Sequence, residues 1–162
     1  MHYTKPALLL FISALGVSAH AQTVWQPFDL DFAGPFANET DDSPNPFLDY
    51  RLQVTFTRGD GTQLTVPGFY DGDGNGGGEG NIWRVRFAPD QAGQWQYTAS
   101  FRAGDNVAVE LGANAGSASD FDGLAGSFTV TPRDSNAPGF LSQGRLEYVG
   151  EHYLKFRDGD YW

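Results

Sequence analysis

The chain has 162 residues, 20 acidic against 10 basic side chains, a formal net charge of −10 and no cysteine. A surface this acidic repels phosphate backbones and anionic lipid headgroups, which argues against nucleic acid and membrane as partners and leaves neutral polymers such as glycans open. Without cysteine there is neither a disulfide nor a thiol nucleophile, so stability has to come from packing.

Lys5, an apolar run over residues 7–17 and the small-x-small site Ala19-His20-Ala21 read as a secretory signal peptide over residues 1–21. The apolar run is about half of the roughly 20 residues a membrane span needs. The expected location is therefore secreted or periplasmic, with Gln22 as the mature N-terminus. The leader holds one basic residue and no acidic one, so the remainder carries −11. At 141 residues that remainder is one domain's worth, and a domain of this size buries roughly 68–70% of the surface its unfolded chain exposes.

From there the apolar residues alternate. Phe28, Leu30 and Phe32 against Asp29 and Asp31 predict a first strand that Gly34-Pro35 ends. Leu48, Tyr50, Leu52, Val54 and Phe56 predict a second, and Gly59-Asp60-Gly61 turns it into a hairpin with residues 63–66. Pro67 and Gly68 stop that ladder before Phe69, and an Asp/Gly-rich loop fills residues 71–80. Trp83, Val85 and Phe87 then point one way and Arg84 and Arg86 the other. After a Pro89…Gly93 turn, Trp95, Tyr97, Ala99 and Phe101 repeat the pattern. Residues 103–126 read as a long loop with one weak strand around 107–111, and Phe128 and Val130 mark a closing strand. No helix-period stripe competes, so the prediction is an all-β antiparallel sandwich whose core comes from one face of each strand. Tyr97 is expected to tie the 89–93 corner with its hydroxyl.

Residues 133–143 have the composition of a linker. Leu146, Tyr148, Tyr153, Leu154 and Phe156, with a turn at Asp158-Gly159 and a second strand stopping at Trp162, look like the first hairpin of a second domain whose remainder is missing.

The segments Phe32-Ala33-Gly34-Pro35, Asn45-Pro46-Phe47-Leu48-Asp49-Tyr50-Arg51-Leu52, Val66-Pro67-Gly68-Phe69-Tyr70-Asp71-Gly72-Asp73-Gly74, Trp83-Arg84-Val85-Arg86-Phe87-Ala88-Pro89-Asp90 and Gly93-Gln94-Trp95-Gln96-Tyr97 occur in that order, with Gly126-Ser127-Phe128-Thr129-Val130 closing. Together they resemble the immunoglobulin-like domain of unknown function 5060, found at the N-terminus of secreted bacterial glycoside hydrolases. The resemblance implies an immunoglobulin-like sandwich over residues 22–132, a linker over 133–143, and over 144–162 the entry to a sugar-cleaving barrel. The barrel that would hold the catalytic acids is absent, so no catalytic residue is assigned.

The chemistry-bearing residues are few. His2 and His20 fall in the leader, which leaves His152 as the only histidine and excludes a histidine-rich zinc site. Twenty acids guarantee some pair at glycosidase spacing, so their presence alone argues nothing. Asp71, Asp73 and Asn75, with Glu79 in the ninth position, match the first half of a calcium loop, but Ile82 stands where the closing Glu belongs. The alternative is a glycine-rich hairpin connection in which Asp favours turns. For sugar stacking the candidates are Trp25 and Tyr70, with Arg84 and Arg86 on the outward face, whereas Trp83, Trp95 and Tyr97 read as core. The expected function is a non-catalytic accessory domain that packs on the catalytic barrel of the same polypeptide through loops 71–80 and 103–126. The alternatives are an independent carbohydrate-binding module acting on a polysaccharide and a calcium-stabilised adhesion domain.

Overall fold

The computed structural model describes residues 21–150 and 152–162, so the expected signal peptide lies outside the described residues except for Ala21. Nine strands build two facing layers: β1 (Gln22–Thr23), β2 (Phe28–Asn38), β3 (Tyr50–Arg58), β4 (Gln63–Pro67), β5 (Phe69–Tyr70), β6 (Glu79–Phe87), β7 (Gly93–Ala103), β8 (Ser117–Ala118) and β9 (Ala125–Thr131). The larger sheet has the order β1-β9-β7-β3-β4, with β8 added to β7, and the smaller has β2-β6-β5. Only β1 and β9 pair in parallel within these sheets. Successive hairpins are shared between facing sheets, which is the immunoglobulin-like grouping.

Alternation dictates the core. Leu30, Phe32, Trp83, Val85 and Phe87 of the smaller sheet meet Leu52, Val54, Phe56, Trp95, Tyr97 and Phe101 of the larger, all buried. Phe56 stacks on Phe87 across the gap with centroids 4.0 Å apart. Each such side chain contributes about 1.5–3 kcal/mol by leaving water.

The two outward faces differ. On the smaller sheet the register sets Asp29 beside Arg86 and Asp31 beside Arg84. No strand of the larger sheet contains an aspartate or glutamate. Its outward rows run Gln63, Thr57, Gln96, Ser127 and Thr65, Thr55, Thr98.

Four local expectations are corrected. β2 does not end at Gly34-Pro35: its register slips between Ala33 and Ala37 and pairing resumes to Asn38. A bulge tolerates proline because no ladder N–H is required there, and the Pro35 carbonyl accepts the Trp83 indole N–H at 3.2 Å. The weak strand at 107–111 is a 3-10 turn, Val107–Val109, since Val107 is buried while the Arg51 guanidinium gathers the carbonyls of Glu110, Gly112 and Ala113. The 89–93 corner is tied by Trp95, whose indole N–H donates to the Gln91 carbonyl at 2.9 Å, while the Tyr97 ring covers Gly126. Finally, β10 (Leu146–Tyr148) pairs antiparallel with β11 (Leu154–Phe156), and Asp158-Gly159 leads only to a single bridge between Lys155 and Tyr161. Before them a helical turn, α1 (Phe140–Gln143), interrupts the segment expected as linker.

Candidate functional site

β3 runs from Tyr50 to Arg58, about 26 Å at ~3.3 Å per residue, and so separates two ends of the sandwich. At the Tyr50 end lie the 71–78 loop and the 104–116 loop. The β10–β11 hairpin lies at the Arg58 end, tied there by the Trp25 bonds to Asp158 and Pro89.

The Asp/Gly loop sends its carboxylates in different directions. Asp71 pairs with Arg84. Asp73 accepts the backbone N–H groups of Asn75 and Gly77 at 2.8 and 2.9 Å, and these bonds hold its carboxyl below the usual range. Glu79 accepts from the Asn38 amide at 3.2 Å, and Asn75 turns its own amide back onto the Asp73 carbonyl. Asp71, Asp73, Asn75 and Glu79 are thus not brought together, and among the described residues no cluster of three acidic or histidine side chains is placed to hold a metal ion. An Asx-type turn accounts for this local sequence.

Arg84 and Arg86 occupy the outward face as expected, but inside a charge lattice. Arg84 binds both oxygens of Asp31 at 2.6 and 2.8 Å, and Arg86 both oxygens of Asp29 at 2.7 and 2.9 Å. The bond from Arg86 holds the Asp29 carboxyl below its ordinary value against the opposing cost of burial. Asp49, Asp60, Asp73 and Glu147 are also held low, each by hydrogen bonds to its ionised form. Such ionised groups are hydrogen-bond acceptors. His152 is exposed.

The expectation that Trp25 and Tyr70 offer open ring faces is corrected, since they are 8% and 5% exposed. Trp25 has φ 69°, rare for an aromatic residue. Its backbone N–H donates to the Pro89 carbonyl at 2.8 Å, and its indole N–H to Asp158 at 2.6 Å. Gly144 lies against the indole, where a β-carbon would stand 2.8 Å from Cε2. Trp25 therefore fastens the 144–162 segment to the sandwich. Its position just before the first alternating strand gave no sign of this, because the partner lies 133 residues away.

Tyr70 donates to the carbonyls of Ala37 and Gly80, and burial pushes its phenol up. One edge of it borders a pocket of about 220 Å³ at the Tyr50 end. The pocket opens where the chain leaves β4 for β5 through Gly68, a passage so close that a β-carbon would meet Leu52 at 2.4 Å and the Arg84 carbonyl at 2.8 Å. Phe47, Tyr50, Phe69, Tyr70 and Trp83 line it, with Arg51 and Gln53 as its polar side chains. Phe47 and Phe69 are 50% and 40% exposed. Sequence reading missed this site because Phe47 lies outside any strand and Phe69 in one of two residues.

Among the described residues no helix is long and apolar enough to cross a membrane. The family described as domain of unknown function, DUF5060, matches residues 21–102. No curated protein matches the chain significantly. Among solved structures, a putative glycoside hydrolase from Bacteroides vulgatus is similar at 32% identity and a TM-score of 0.57, over 88% of this chain and 21% of that one. The chain thus spans about a fifth of the length of that protein.

Proposed function

The chain belongs to the DUF5060 family, and we propose that it is the non-catalytic accessory domain of a secreted glycoside hydrolase, packing on the sugar-cleaving domain and lengthening its substrate cleft. The observation that carries this reading is a match that takes in nearly all of this chain but only a fifth of a much longer protein named for glycan cleavage.

The hairpin end is the packing surface in preference to loops 71–80 and 103–126. Tyr148, Tyr153, Tyr161 and Trp162 are 71, 59, 64 and 75% exposed there, and aromatic side chains dominate the buried centres of interfaces. At the loop end, Arg51 and the Asx turns already hold the backbone.

The purified chain is expected to release no reducing ends from any polysaccharide. In the glycoside hydrolase that carries it, Tyr153→Ser with Tyr161→Ser is expected to lower the melting temperature of the catalytic domain. Turnover by the chain alone, or an unmoved melting temperature, would overturn the reading.

A further inference from the structure

We infer that the pocket between Phe47 and Phe69 is a subsite for one sugar ring of a neutral polysaccharide, whose chain continues across the acid-free face of the larger sheet. The choice of a glycan rests on the accessory reading above; the location rests on the geometry alone.

A concave site with mostly apolar and aromatic walls and a few polar groups is the usual form of a small-ligand site. The C–H face of a pyranose is flat and apolar, and the half-exposed rings of Phe47 and Phe69 are the surfaces such a face can cover. Gln53 supplies an amide that can both donate to and accept from hydroxyls. Arg51 is fixed by three backbone carbonyls, so meeting a ligand costs little further ordering.

Gln53 and Pro67 line the pocket and also face each other across β3 and β4, so the pocket runs directly into the outward face of the larger sheet. In a chain with 20 acidic residues, none lies on the strands of that sheet. Hydroxyls and amides there match the hydroxyls of a neutral glycan. Arg51 and Arg102 face each other on that sheet, but both are tied to backbone carbonyls and Arg102 also to Asp122, so a uronate polymer would still meet the repulsion of the whole acidic surface. An apolar side chain from a protein partner would fill the aromatic walls but leave the Gln53 amide without a partner. The pocket also lies about 26 Å from the hairpin end, by the length of β3, so packing there leaves it open.

The test is affinity electrophoresis of the purified chain in gels containing galactomannan, xyloglucan or mixed-linkage β-glucan, with polygalacturonate as the anionic control. At least one neutral gel is expected to retard it, and Phe47→Ala and Phe69→Ala each to weaken that retardation about tenfold. Melting temperatures are expected to stay within the spread usual for surface changes. Gln53→Ala gives a second, polar probe with a smaller loss. No retardation in any neutral gel, undiminished retardation of the phenylalanine variants, or retardation by polygalacturonate alone overturns the proposal. If the chain is not retarded but the enzyme that carries it cleaves glycans, only the pocket fails. Retardation without glycan cleavage would remove the accessory reading and keep the pocket.

Discussion

The Arg58 end of the sandwich is closed by the molecule's own chain, while the Tyr50 end is left open around aromatic edges. At the first, Trp25 is clamped between Pro89, Asp158 and Gly144, and Arg58 pairs with the nearly buried Asp90 while lying over the Trp95 ring. At the second, the chain crosses tightly from one sheet to the other at Gly68 and leaves Phe47 and Phe69 half uncovered. A sandwich with aromatics along every inner row must finish its last ring somewhere. Covering it with chain gives a rigid joint, and leaving it bare gives a surface to which something else can bind. The difference matches the two proposed roles, support at one end and recognition at the other.

Trp25→Ala is the heaviest blow to this contrast. Removing a buried tryptophan is expected to cost about 3–5 kcal/mol, and the loss should be read in hydrogen exchange as fast exchange over residues 144–160. Trp25→Phe keeps most of the packing but drops the bond to the Asp158 carboxylate, worth about 2 kcal/mol for a charged acceptor. If both variants leave the hairpin amides as protected as before, Trp25 is not the joint.

Gly144→Ala approaches the same joint from the other side and should cost less. Its φ of 81° and the indole 2.8 Å from the would-be β-carbon oppose the added methyl. Overpacking of this kind costs about 1–3 kcal/mol, measurable as a lowered urea midpoint with an unchanged slope. A midpoint equal to that of the parent would mean that the indole moves aside freely.

Much of the sandwich was legible in the sequence because a period of two acts over each strand separately. Trp83, Val85 and Phe87 announce their face without reference to any partner, and so do Trp95, Tyr97 and Phe101. The arginines between them were placed on the correct side by the same rule. Legibility failed wherever a residue's role depends on a distant partner. Trp25 has no local period to mark it as buried. Tyr70 looked like a loop-base platform until its hydroxyl met the carbonyls of Ala37 and Gly80. The Asp71–Asp73–Asn75 spacing fits either a cation or a turn, and the turn shows itself only in the backbone N–H groups that Asp73 accepts. Val107 and Val109 alternate like a strand, but Val107 is buried in a 3-10 turn whose following carbonyls are gathered by the distant Arg51.

The smallest expected effect separates the ends by the kind of force that holds them. At the hairpin end Glu147 accepts from Arg157 at 2.7 Å and Arg145 at 2.9 Å, and these bonds hold its carboxyl below the ordinary 4.5. At the open end Asp49 accepts the backbone N–H groups of Asn106 and Asn45 at 3.0 and 2.8 Å, which hold it below 3.8. Because both carboxyls titrate lower in the folded state, each contributes stability that is fully present above the unfolded value and is lost as pH falls through the folded one. Glu147→Gln and Asp49→Asn should therefore each flatten the acid limb of a stability profile measured by urea unfolding between pH 7 and 3. Salt then tells them apart. At 1 M the screening length is about 3 Å, so the coulombic share of the exposed Glu147 pairs fades and Glu147→Gln flattens the limb less, whereas the backbone bonds to Asp49 involve no second charge and Asp49→Asn flattens it as before. Equal salt sensitivity at the two sites would mean that the open end, like the closed one, is held by charge.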